Sequence, residues 1–132
     1  MYTVTRKNEI HEELAIKNLK GETELVLSVY LRVDEVLSQY NRIRRILGEA
    51  QHELSKNPTG EDTLVAFGKA VIALFSLVFG EEGTKKLLEY YGNGYSEMLQ
   101  DVAPFIADVI NPQIEAAMKA RANTYKRMVT KK

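Results

Sequence analysis

The chain has no cysteine and no tryptophan, and its 132 residues include only three prolines, eight glycines and two histidines. Without cysteine there is no disulfide, no thiolate metal site and no thiol nucleophile, which fits a reducing compartment. An excess of either charge is also missing: 18 basic residues balance 18 acidic ones, so no global field draws the protein to nucleic acid or to a membrane. The opening Met1-Tyr2-Thr3-Val4-Thr5-Arg6-Lys7 has no apolar run, and no secretory signal is expected from it. Scarce proline and glycine leave room for long regular elements. With 45% hydrophobic and 27% charged residues, the composition is that of an ordinary globular chain forming one domain, residues 1–132.

Catalytic constellations are missing as well. His11 and His52 stand apart, and His52 has only Glu49 and Glu53 near it at helical spacing, a pair expected on any solvated helix. Ser28, Ser38, Ser55, Ser76 and Ser96 lie in no Gly-x-Ser-x-Gly elbow. Gly80, Gly83, Gly92 and Gly94 lack the strand before and the Lys-Ser/Thr after that a phosphate loop requires, and read as helix-end signals. We therefore expect no enzyme, no catalytic residue, no cofactor and no metal.

The elements follow from periodicity. Leu25, Leu27, Val29, Leu31 and Val33 alternate with Val26, Ser28, Tyr30 and Arg32, the period of a strand buried on one face. Ile10, Leu14 and Ile16 share a parity upstream, with polar Glu12 between them. Asn18-Leu19-Lys20-Gly21-Glu22 is the turn, so residues 1–33 form a β-hairpin region. A lone hairpin is marginal in water, so its apolar face must pack on helices or on another chain. Asp34 is the expected N-cap of a helix over 34–57. Along it Val36, Tyr40, Ile43, Leu47, Ala50 and Leu54 recur every three or four residues, with Arg42, Arg45, Glu49 and Glu53 on the wet side. Asn57-Pro58-Thr59-Gly60 ends it.

A second helix, 61–80, is apolar nearly all round, because only Gly68, Lys69 and Ser76 interrupt Leu64–Phe79. Such a helix is either central in a protein or in a membrane. At ~1.5 Å per residue this run spans about 24 Å, short of the ~30 Å hydrocarbon core, and Lys69 sits within it. Burial is the expectation. Gly80 closes that helix, a short one over 81–92 carries Leu87, Leu88, Tyr90 and Tyr91, and Gly92-Asn93-Gly94 stops it. A final helical part, 95–130, places Met98, Leu99, Val102, Ile106, Val109 and Ile110 on its apolar face. Pro104 and Pro112 predict a bend or break there, before Pro112 above all. The fold class is thus α+β and mainly α, with an N-terminal hairpin packed on a bundle of about four helices.

One charge asymmetry stands out. From Gln113 to Lys132 six basic residues face one acid, Glu115, a net charge of +5. Such a tail can contact phosphates, anionic lipid or an acidic partner, or sit in solvent at a helix's negative end. With balanced charge elsewhere and Tyr125 as its one aromatic, it favours a solvated or partner-facing role over nucleic acid. A small helical regulatory or nucleic-acid-binding module is the alternative reading of this tail.

The stretch Phe79-Gly80-Glu81-Glu82-Gly83-Thr84-Lys85-Lys86-Leu87-Leu88-Glu89-Tyr90-Tyr91, with Gly94-Tyr95-Ser96-Glu97-Met98-Leu99, has a distinctive pattern. So does Val102-Ala103-Pro104-Phe105-Ile106-Ala107-Asp108-Val109-Ile110 ahead of Pro112. Together they resemble the small tail assembly chaperones of siphophages and prophages of Gram-positive bacteria. The hairpin entering a helix at Val33-Asp34-Glu35 is similar to that group too. The likeness is sharp over about Phe79–Pro112 and looser elsewhere. It implies a cytoplasmic protein of the bacterial host that coats the tape measure protein before the tail tube polymerises. Tape measure protein is the implied partner, with tail tube protein a further one and no membrane.

A tape measure protein is long, helical and apolar, so its chaperone needs apolar grooves and a polar outer face. Tyr90, Tyr91, Tyr95, Met98 and Phe105 are the candidate partner-binding residues, since tyrosine and methionine give adaptable contact area. The hairpin edges offer a second route, to a homo-oligomer.

Overall fold

The alternation around Leu27 is realised as a hairpin. In the computed structural model, which describes residues 1–4 and 9–130, β1 (Glu9–Lys17) pairs antiparallel with β2 (Thr23–Arg32). Register sets Ile10 opposite Leu31, Leu14 opposite Leu27 and Ile16 opposite Leu25. A slip of one residue would turn this whole set to solvent. The turn is tied by Asn18, whose side-chain oxygen accepts from the backbone N–H groups of Lys20 (2.9 Å) and Glu22 (3.0 Å). Ile10, Leu27, Val29 and Leu31 are buried, while Leu14, Ile16 and Leu25 nearer the turn are half-buried. Glu12, the polar residue of the inner parity, accepts from the Gln113 side chain at 3.3 Å.

Helix α1 (Val33–Lys56) follows β2 without a loop. Asp34 is not its N-cap, contrary to expectation. Arg32 occupies that position in extended geometry with no side-chain cap bond. Val33 is buried and completes the inner row of the strand, so the helix starts there to carry Val36 and Tyr40 inward. Asp34 lies in the first turn, where the helix dipole favours a carboxylate, and pairs with Arg121. Val36, Tyr40, Leu47 and Ala50 are buried, with Ile43 and Leu54 packed at the margin.

Helix α2 spans Glu61–Tyr91 and bends at Gly80 (φ 77°, ψ 173°). The two helices expected to meet at Gly80 do meet there, joined across this kink into one long bent rod. Thr84, buried, donates to the Gly80 carbonyl at 2.8 Å and ties the second segment to the bend. By length and composition α2 could cross a membrane. Here its Ala70, Val71, Leu74, Phe75 and Val78 are enclosed by the rest of the fold.

Helix α3 (Tyr95–Phe105) passes through one wide π-type turn, Ile106–Ile110, into α4 (Asn111–Thr130). The backbone N–H of Asn111 reaches back to the carbonyl of Ile106. The irregularity expected before Pro112 is thus a widened turn, not a break. In α geometry the Pro112 ring would crowd the carbonyl four residues earlier, and the wide turn relieves this without ending the helix. Mainly helical, with the hairpin packed on three long rods, the fold is of the expected class with one rod fewer. Lys131 and Lys132 of the basic tail, and Thr5–Lys7 of the opening segment, lie outside the described residues.

Gly80 lies in backbone space that is essentially glycine-only. Gly80→Ala is expected to lower stability by about 1–3 kcal/mol. Gly48→Ala, mid-helix with open space around it, is expected to raise stability by about 0.5–1 kcal/mol. Paired urea titrations check both. Equal midpoints for the two variants would contradict this account of the bend.

Candidate protein-binding groove

The first half of α2 is less covered than its composition suggests. Leu64 is 46% exposed and Val65 51%, and Ala66 is exposed beside them. The reading of Leu64–Phe79 as wholly buried is corrected at its first turn. An apolar rod with no polar side must meet solvent wherever the neighbouring rods stop, and α3 begins only at Tyr95.

Where α3 starts, Tyr95 leans on α2 over Gly68. A Cβ at Gly68 would come within 2.9 Å of the Tyr95 ring, so the missing side chain is what lets the two helices close there. Beside this contact lies an open groove of about 590 Å³, walled by Leu64, Val65, Gly68, Ile72 and Tyr95. Lys69 and Glu97 stand on its two sides. The arrangement can accept apolar side chains of a helix and offers one charge of each sign at the margin. Among the described residues no cluster of metal-ligating side chains exists.

The candidate binding residues do not converge on this groove. Tyr95 lines it. Tyr90 is 40% exposed but turns to the hairpin, its hydroxyl donating to Glu24. Tyr91 packs edge-on against Tyr90 at 5.1 Å and donates to Asp101 of α3 at 3.0 Å. Phe105 stacks on Phe79 with centroids 6.0 Å apart. Met98 is fully buried and presents no surface, so its place among the candidates is corrected: it is core. An apolar stripe at helical spacing marks a buried face without saying which members a neighbour covers. Leu64, Val65 and Ile72 also line the groove, and they belong to the run whose composition argues for core. The signal that could have found them was the missing polar face itself, since the two other rods and a hairpin cannot enclose a helix on every side.

Compared with known protein families, curated proteins and solved structures, the chain has no match.

Two buried or half-buried tyrosines carry electrostatic consequences. Burial, aided by the hydrogen bond to Asp101 and its charge, holds the Tyr91 hydroxyl well above the ordinary phenol range. Tyr40 is also raised, by burial first, with Arg44 opposing and Glu115 assisting. A phenol raised in the folded state contributes stability that is complete below its unfolded pKa of ~10 and is lost as pH climbs towards the folded value. Urea midpoints are therefore expected to hold steady from pH 7 to about 9.5 and to fall above ~10. Tyr91→Phe should flatten part of that fall. An unchanged midpoint at pH 11 in the wild-type chain would contradict it.

Proposed function

We propose that this chain is a non-catalytic phage tail assembly chaperone, which binds the tape measure protein and keeps it soluble during tail morphogenesis. The observation that carries this reading is the open apolar groove between α2 and α3, on a helix that has no polar side. The sequence resemblance over Phe79–Pro112 supplies the partner class. A long amphipathic helix would set its apolar side chains against Leu64, Val65 and Ile72, covering surface that is otherwise wet. Leu64 and Val65 are each about half exposed, so covering each contributes about 1 kcal/mol. Tyr95, propped by Gly68, forms the rigid wall of the seat.

The chaperone acts by occupancy. A tape measure helix held in the groove has no free apolar stripe with which to aggregate, and release needs no chemistry, only a competing surface such as the growing tail tube. The protein would work in the bacterial cytoplasm, where phage tails assemble.

Co-expression with a cognate siphophage tape measure protein tests the reading. The wild-type chain should bring that partner into the soluble fraction and co-purify with it. Leu64→Asp should leave the circular dichroism unchanged and weaken capture by roughly tenfold or more. A partner equally soluble without the chain, or captured equally by Leu64→Asp, would overturn the proposal.

A further inference from the structure

Helix α4 leaves the body of the protein before it ends. Ile114 is fully buried and Ala117 and Met118 are half-buried, but every described side chain from Ala122 to Val129 is exposed. The apolar stripe does not stop where burial stops. Tyr125, Met128 and Val129 continue it at helical spacing and are 60%, 72% and 75% exposed. This arm is also the basic end of the chain.

A surface of opposite character lies on α1 and α2. Ile46, 44% exposed, with Ala50 and Ala66, floors an open apolar groove of about 310 Å³. The charged residues that line it are Glu49, Glu53 and Asp62, all acidic. Arm and groove are complementary twice over, apolar stripe to apolar floor and basic flank to acidic rim.

The arm cannot reach the groove of its own chain. Helix α4 runs antiparallel to α1: Asn111 accepts from Tyr40 and Arg44, both at 2.9 Å, and Arg121 pairs with Asp34. The arm beyond Arg121 therefore passes the start of α1, whereas the groove lies towards its far end. Sixteen residues of α1 separate Asp34 from Ala50, about 24 Å of helix in the wrong direction.

We infer that the exposed arm of α4 docks in the Ile46–Ala66 groove of a second copy of this chain, joining subunits head to tail. Because arm and groove sit at opposite ends of the molecule, a subunit that pairs once keeps its other surface free, and the pair as a whole presents one arm and one groove. Such a contact propagates into an open chain, or closes into a ring if the rotation allows. The association uses surfaces separate from the α2–α3 groove and stands whether or not that groove holds a tape measure protein.

The test is a charge swap read by analytical ultracentrifugation of the full chain at low salt. The wild-type chain is expected to show concentration-dependent association that weakens as salt is added. Arg127→Glu and Glu53→Lys should each raise the apparent Kd by about tenfold or more, because like charges then meet in the contact. Mixing the two variants should restore association, since each arm then finds a groove of opposite charge. All three positions of this swap and its substitute Glu49→Lys are on exposed turns, and circular dichroism confirms folding; if Glu53→Lys does not fold, Glu49→Lys replaces it. A wild-type chain that stays monomeric at its solubility limit would overturn the inference. So would loss in Arg127→Glu with none in either groove variant, which would place the arm elsewhere, or a mixture that fails to recover.

Discussion

Everything else in this structure depends on covering α2. Val71 and Phe75 have no exposed surface, and Ala70, Leu74, Val78 and Phe79 have little. A side chain of that size contributes about 1.5–3 kcal/mol when fully buried, so this one rod outweighs any single polar contact in the molecule. The inner face of the hairpin, the stripe of α1 and the stripe of α3 all answer to it. The bend at Gly80 serves the same end, because it turns the second segment of α2 so that Leu87 is fully buried and Tyr90 and Tyr91 reach β2 and α3.

Polar contacts then fix which way the rods lie. Asn111 is the hub: its side-chain oxygen accepts from Tyr40 and Arg44 of α1, and its amide donates to Glu115 at 3.0 Å. The Tyr40 ring is buried beneath that hub, with the Arg44 guanidinium 5.5 Å above it. A buried phenol without a partner would cost about 1–3 kcal/mol, so the Asn111 contact both satisfies Tyr40 and selects the antiparallel setting of α4. The wide turn over Ile106–Ile110 delivers Asn111 to that place. It shifts the register of the helix by one residue while leaving Ile106, Ile110 and Ile114 all buried. The proline at 112 thus sets the position of the hub rather than ending the rod.

Much of this was legible in the sequence. The period of two around Leu27 and the three-and-four spacing from Val36 to Leu54 named their elements, because each has one wet side and one dry side. Helix ends were marked by Asn57-Pro58 and Gly92-Asn93-Gly94. What could not be read was which dry residues stay dry. A helix apolar all round has no preferred face, so Leu64 and Val65 were indistinguishable from Val71 and Phe75. Met98 and Tyr95 sit three residues apart on one helix, yet one is core and the other lines a groove. Asp34 looked like a cap because it is the usual residue for one; the demand to bury Val33 moved the cap two positions back, to Arg32. The candidate groove was therefore legible only through Tyr95.

Charge borders the apolar surface that this chain leaves uncovered. Exposed Leu64 and Val65, Ile46, and the Tyr125–Val129 stripe are three apolar surfaces. Each is bordered by charge: Lys69 and Glu97 at the first, acids at the second, bases at the third. The last two carry opposite signs, which keeps like surfaces apart while allowing unlike ones to meet. The first carries both signs and so has no preference for either of the others. The two proposed contacts thus rest on different side-chain chemistry: mixed charge at the first surface, opposite charges at the other two. They therefore do not compete for a surface, since the acidic groove shares no lining residue with the α2–α3 groove.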